Sequence, residues 1–277
     1  MPHAIGAEVK IFYEIPGRSG DPTVLVHGSW ADHSTWTRVV APLASSLHLM
    51  TYDRRGHGSS TGPRRANPVR DDVADLAFLL ESVDLYPAHV IGHSYGGAVA
   101  LRLALDRPEL VRSVAVHEPP FLSLLEGAEG KSSPDATEAR FEIRRLQGLA
   151  RSGRHEETAQ QFAERFDSGP GAWNRLDPAA RSSFTRHAPQ WADEMDDPDA
   201  TTPSRSELAT LDLPVLLTTG ERSLPLFHEI EGELRRALRN AVARVLPGTG
   251  HVPHLTDPEV YAGAIATFLL ERDVPST

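Results

Sequence analysis

The residues best suited to chemistry are Ser94, in Gly92-His93-Ser94-Tyr95-Gly96, and His251, in Gly248-Thr249-Gly250-His251. A serine hydroxyl is a weak nucleophile at neutral pH. It becomes a strong one when a histidine within hydrogen-bond reach takes its proton and a carboxylate orients that histidine. The G-x-S-x-G spacing suits this role. Residues 88–91 read as a short buried strand before the serine, and residues 97–105 as a helix after it. A serine on a strand-to-helix turn presents its hydroxyl from a strained backbone, and the glycines let strand and helix pack closely.

His251 follows an apolar run (242–246) and a glycine-rich loop. It precedes a helical segment, 258–271, that opens with proline in its first turn, where no backbone donor is needed. His254 is the rival base. Gly250 allows a tighter approach at His251, which leaves His254 as a supporting or surface residue. The acid has two candidates: Glu118, in Val116-His117-Glu118-Pro119-Pro120, and Glu221, in Gly220-Glu221-Arg222-Ser223. Each follows an apolar run, 114–116 or 215–218, and either could hold the imidazole tautomer toward Ser94. Pro119 and Pro120 stiffen the chain after Glu118. The plainer role for either glutamate is pairing with a nearby arginine.

Acyl chemistry also needs amide donors for a developing oxyanion. Tyr95, after the nucleophile, and Ser29, in His27-Gly28-Ser29-Trp30, are the candidates. Trp30, His117 and Trp191 are candidate pocket residues, and Trp36 either packs beneath that loop or lines the pocket. Asp53, in Asp53-Arg54-Arg55-Gly56-His57-Gly58, reads as a turn anchor bonded to backbone and arginine rather than as the acid.

The rest of the chain must position these groups. Short apolar runs at 9–13, 24–27, 47–52, 89–91, 114–116, 215–218 and 242–246 alternate with helical patterns such as 70–82. That rhythm marks a mostly parallel α/β sheet. It breaks between 119 and 205, where helical patterns at 138–151, 155–166 and 178–187 occur without strands. The division is therefore a core of 1–118 and 206–277 with an inserted helical cap, 119–205. Phe121, Leu122, Phe162, Trp173, Phe184 and Trp191 either roof a cavity or form the cap's own small core, and for most of them the second is expected. The acidic run 193–199 reads as a solvated loop.

Composition excludes several classes. Hydrophobic residues make up 40% of the 277, and charged residues 24%, as in a globular enzyme. With no cysteine, thiolate metal sites and cysteine nucleophiles are absent. A formal charge of −10 disfavours nucleic acid and anionic membranes as partners. Thirteen histidines fall in no metal-ligand spacing, so no metal or cofactor is expected. No apolar run is long enough to span a membrane and no signal peptide is visible, which fits a cytoplasmic protein acting on a small molecule, as a monomer or a homodimer.

Taken in order, His27-Gly28-Ser29-Trp30, Tyr52-Asp53-Arg54-Arg55-Gly56-His57-Gly58, the serine motif with Gly97, and Gly248-Thr249-Gly250-His251 resemble the α/β-hydrolase superfamily over nearly the whole chain. The resemblance implies an eight-stranded sheet, a helical cap, and a triad in the order serine, acid, histidine. The superfamily usually places aspartate in G-x-x-D after the penultimate strand, where this chain has Ser223. A variant with the acid after the preceding strand points to Glu118, 24 positions after Ser94, a spacing similar to that in zearalenone-type lactone hydrolases. The implied activity is hydrolysis of a carboxylic ester or lactone of a small, fairly hydrophobic molecule through an acyl-enzyme. Carbon–carbon hydrolysis of a diketone, acyl transfer, and ligand reception on the same scaffold are the alternatives. Dehalogenase or epoxide-hydrolase chemistry would need aspartate at position 94.

Overall fold

The computed structural model describes residues 2–63, 68–126, 132–167, 169–197 and 203–271. Eight strands form one sheet: β1 (His3–Ile5), β2 (Lys10–Glu14), β3 (Asp21–Val26), β4 (Leu47–Tyr52), β5 (Ala88–His93), β6 (Val111–His117), β7 (Val215–Gly220) and β8 (Ala241–Leu246). Their order is β1-β2-β4-β3-β5-β6-β7-β8, antiparallel across β1-β2 and β2-β4 and parallel thereafter.

The apolar runs of the parallel strands split by residue parity. Val24, Val26, Val90, Val114, Val116, Val215 and Leu217 share one core, while Leu25, Ile91, Ala115 and Leu216 belong to another. Strands covered on both faces read as continuous apolar runs, because alternate residues are buried on opposite sides. Helices α2 (Pro68–Ser82) and α3 (Tyr95–Asp106) contribute Leu76, Leu80, Val99 and Leu103 to the first core. Helices α1 (Thr37–Leu43) and α11 (Pro258–Leu270) close the second with Val39, Leu43, Ile265 and Phe268.

The chain leaves the sheet after β6 and returns at β7. Between them lie α4 (Pro134–Arg151), α5 (His155–Phe162), α6 (Ala172–Arg175), α7 (Pro178–Glu194) and α8 (Arg205–Leu208); α9 (Pro225–Ala237) and α10 (Pro253–Thr256) follow. Proline opens α4 and α7, and Ser133 and Asp177 cap them by accepting from the Ala136 and Ala180 amides. Among the described residues, no helix is long and apolar enough to cross a membrane.

The acidic run departs from the expected solvated loop. Helix α7 continues through Glu194, and both Glu194 and Asp197 are buried, 3% and 2% exposed. Glu194 binds Arg54, and Asp197 accepts from the Val69 amide at 2.8 Å. Pro198 and Asp199 lie outside the described residues.

Candidate active site

The pairing of β5 with β6 aligns His93 with His117, so the next residues, Ser94 and Glu118, emerge side by side at the carboxyl edge of the sheet. Both carry left-handed backbone, φ 51° and 48°. Non-glycine residues rarely adopt it, and such strain concentrates at functional sites. The Ser94 amide donates to His117 O at 2.8 Å, tying the two turns together, and the Glu118 amide donates to Thr218 O of β7 at 3.3 Å. The glycines of the serine motif are steric necessities: a Cβ on Gly92 would lie 2.3 Å from Gly96 O, and one on Gly96 2.2 Å from Val26 O.

His251 Nδ1 donates to Glu118 Oε2 at 2.6 Å, with both side chains buried. The other carboxylate oxygen accepts from the Gly220 amide at 2.8 Å. Burial alone would raise the Glu118 pKa. His117 beside it and the hydrogen bond from His251 outweigh that and bring it down to about 2. Glu118 is therefore ionised at any working pH. Glu221, the other candidate acid, is exposed and accepts from the Gly248 amide at 2.7 Å, so it braces the histidine loop and does not contact the ring. Ser223, at the superfamily's usual acid position, contributes its amide to Gly220 O.

The loop carrying His251 is held from below. His93 Nε2 donates to His251 O at 2.7 Å, and His117 Nε2 to Gly250 O at 3.2 Å. Phe227 stacks on the His251 ring, with centroids 4.6 Å apart. This corrects the expectation for His117: it is fully buried behind the site and does not line a pocket, because its register position points it under the loop. His254 is also buried, packed on His93 and Trp36. Trp36 lies wholly in the second core.

Ser94, His251 and Ser29 border a cavity of about 490 Å³, counting its open mouth. Its other walls include Leu122, Ile143, Phe162, Trp191, Met195 and Leu226, and among the described residues no carboxylate, lysine or arginine lines it. A second hollow of about 390 Å³ borders the same three residues on the side of Trp30, Phe184 and Val252. Trp30 packs on Phe162, Phe184 and Trp191 at 4.6, 5.7 and 4.9 Å. Leu122, Phe162, Phe184 and Trp191 thus wall the cavities, where most of the insert's apolar residues were expected to form a core of their own.

Asp53 anchors its turn, but through histidine and backbone where arginine was expected. Oδ1 accepts from the His33 amide and from His33 Nδ1, both at 2.7 Å, and Oδ2 accepts from the Ser59 amide. Asp32, His33 and Asp53 bring three ligand atoms within 4.8 Å of one another, yet these hydrogen bonds, with those of Asp32 to Ser34 and Arg186, already engage them.

Sequence reasoning missed a buried ionic cluster beside the site. Arg54, 1% exposed, donates to Asp72 and to Glu194, each at 2.6 Å. Burial opposes its charge, but the two carboxylates hold it protonated. Burial, reinforced by Glu194, pushes Asp72 up to about 7. Removing one partner of such a group typically costs about 3–5 kcal/mol, because a charge is left buried alone.

Histidines dominate the acid response of the fold. Burial lowers His117 and His187 to about 4 from 6.5, and lowers His27, His57, His93 and His254 well below 6.5. Below pH 6.5 the unfolded chain takes up protons that the folded chain refuses, so stability falls with falling pH. Asp72, raised to about 7, works the other way, because the folded chain there binds a proton that the unfolded chain refuses, but it is one group against six histidines. The melting midpoint should therefore drop between pH 6.5 and 4; a thermal-shift series across that range checks it. The Glu118–His251 pair, ionised at the carboxylate down to about 2, does not drive this loss.

A parallel sheet with a strained serine turn at its carboxyl edge and a histidine–carboxylate pair beside it defines an α/β hydrolase. The chain belongs to the alpha/beta hydrolase family, whose model matches residues 23–264. A Bacillus subtilis protein named an uncharacterized hydrolase is 36% identical over 126 residues, covering 45% of this chain and 46% of its own length. The chain spans less than half the length of the first curated relatives it matches. Among solved structures, the enol-lactonase from Burkholderia xenovorans LB400 superposes with TM-score 0.79 at 21% identity, over 97% of this chain and 100% of that one. A thermophilic esterase from Thermogutta terrifontis gives 0.77 at 22% identity, over 98% and 97%. At these identities the structural likeness speaks for the fold alone.

Proposed function

We propose that this α/β hydrolase cleaves a carboxylic ester or lactone of a small, fairly hydrophobic molecule through an acyl-enzyme on Ser94. The observation that carries the reading is the 2.6 Å contact of His251 Nδ1 with buried Glu118, beside a serine that borders the same apolar cavity. With Nδ1 donating to the carboxylate, Nε2 is left as an acceptor. Ser94 Oγ attacks the carbonyl carbon while His251 Nε2 takes its proton. The Ser29 and Tyr95 amides receive the oxyanion. Collapse breaks the carbon–oxygen bond, and His251 returns the proton to the leaving alkoxide. Water, deprotonated by His251, then releases the acid and restores Ser94.

An uncharged cavity wall disfavours anionic or cationic substrates, since a buried charge needs a partner. Helices α4, α5 and α7 serve as the lid over this cavity, through Ile143, Phe162 and Trp191. An enol-lactonase and an esterase on the same fold are consistent with this substrate class. The test is a panel of p-nitrophenyl esters and lactones with pre-steady-state kinetics at excess substrate. A burst of p-nitrophenol equal to the enzyme, followed by slower turnover, is expected; esters left untouched while Ser94 stays unmodified would refute the reading. In the same panel Trp191→Ala should raise KM for hexanoyl and longer esters about 10-fold with acetyl esters little changed, because it removes a wall of aromatic contact rather than a reacting group.

A further inference from the structure

The carbonyls around the proposed oxyanion donor are unusually well held. Gly28 O accepts two hydrogen bonds, from His27 Nδ1 at 2.8 Å and from Arg54 Nη2 at 3.2 Å. That carbonyl and the Ser29 N–H belong to one planar peptide group and point in opposite directions. Fixing the carbonyl therefore fixes the direction of the amide that would meet the oxyanion. Drawing electron density toward the carbonyl also makes that N–H a better donor.

Arg54 is built for this task. Its Nε donates to His27 O at 3.1 Å, and its own amide donates to His27 Nε2 at 3.0 Å. Its guanidinium lies 4.6 Å over the ring of Tyr95, the residue whose amide is the other proposed donor. Asp72 of α2 accepts from Nη1, and Glu194 of α7 accepts from Nη2, which also lies 3.3 Å from His57 Nε2. One planar fork thus reaches the oxyanion loop, the residue after the nucleophile, and the last turn of the inserted helix.

Helix α7 meets the loop after β3 and the turn after β4 along one stripe. Ser183 Oγ donates to Trp30 O at 3.1 Å, Gln190 Nε2 to Gly56 O at 3.0 Å, and Glu194 accepts from Arg54. Residues 183, 190 and 194 share a helical face. From the same helix, Trp191 walls the cavity.

We infer that Arg54 is a positioning residue: it sets the Gly28–Ser29 peptide for oxyanion binding, and through Glu194 it makes that setting depend on the seating of α7. This rests on the acyl-enzyme reading above, in which Ser29 supplies an oxyanion amide. Nothing in it concerns contact between Arg54 and substrate. Lysine at 54 keeps the charge but loses the fork, so Arg54→Lys is the informative variant.

The experiment compares wild type, Arg54→Lys and Glu194→Gln by thermal melting, by kcat and KM on p-nitrophenyl butyrate, by Ki of an alkyl trifluoromethyl ketone, and by hydrogen exchange of the 24–32 segment. The ketone forms a tetrahedral adduct whose oxygen occupies the oxyanion position. For folded Arg54→Lys, kcat should fall roughly 10- to 100-fold, below the full loss of a donor. KM should change less than about threefold, ketone Ki should rise in step with the kcat loss, and exchange in 24–32 should quicken. Glu194→Gln should shift the same readouts in the same direction by less, and it guards against an Arg54 variant that does not fold. The inference is overturned if folded variants keep kcat, if kcat falls while ketone Ki or exchange stays at the wild-type value, or if exchange quickens without loss of kcat. Wild-type enzyme with no Ser94-dependent turnover would instead refute the acyl-enzyme reading and the oxyanion role together, while exchange in 24–32 would still report whether Arg54 holds the loop.

Discussion

Replacing Ser94 with alanine is expected to lower kcat on any ester substrate by about 10⁴- to 10⁶-fold while leaving the melting midpoint unchanged. The reacting oxygen is lost, and the other hydroxyl on the cavity wall, Ser29, lies on the loop after β3, outside the strained strand-to-helix turn that presents Ser94. Stability should hold because the strained φ of 51° comes from the chain's path between β5 and α3, which alanine follows at the same cost as serine. The check is steady-state kinetics of purified variant and wild type beside matched thermal melts. Turnover within about tenfold of wild type would remove Ser94 from the nucleophile's role.

Replacing Glu118 with glutamine should be nearly as damaging, about 10⁴-fold in kcat, whereas Glu221→Gln should stay within about threefold. Glutamine can present its amide N–H₂ to His251 Nδ1. The ring would then carry its proton on Nε2 and could no longer accept from Ser94. The loss should persist across the working pH range, because Glu118 is held ionised down to about 2 and never titrates there. Glu221 braces Gly248 and has no such contact with the ring. Parallel kcat measurements on the two variants separate the candidates, and a larger loss at Glu221 would reverse the assignment.

Much of the fold is legible because the central parallel strands, β3, β5, β6 and β7, are buried on both faces. Runs such as 114–116 and 215–218 are apolar without interruption, and turn residues bound them. β1 escapes this reading. Three residues, His3–Ile5, at the sheet edge have neither a long apolar run nor an alternation to mark them. Ser94 is legible from its local pattern, since the glycines around it answer to contacts of 2.2–2.3 Å that any Cβ would violate. Glu118 and Glu221 differ only in tertiary context, namely which of two adjacent loops turns toward His251. Local sequence leaves that choice open, and the left-handed turn at 118 makes it.

The errors share a cause. Glu194 and Asp197 sit in a run of acids, and a carboxylate with no cation nearby in sequence reads as solvated. The partner of Glu194 is Arg54, 140 positions away. His117 likewise looks like a pocket residue beside a candidate acid, until its alignment with His93 turns it beneath the histidine loop. In each case a polar group is buried because a distant segment satisfies it, and such pairings have no periodic trace in the chain.

The most direct test is intact-mass and peptide-mapping analysis after reaction with a fluorophosphonate, which requires an activated serine and no knowledge of the substrate. One adduct per chain is expected, on Ser94, abolished by Ser94→Ala and greatly slowed by His251→Ala. A folded wild-type protein that stays unmodified, or carries its adduct on another residue, would contradict the account.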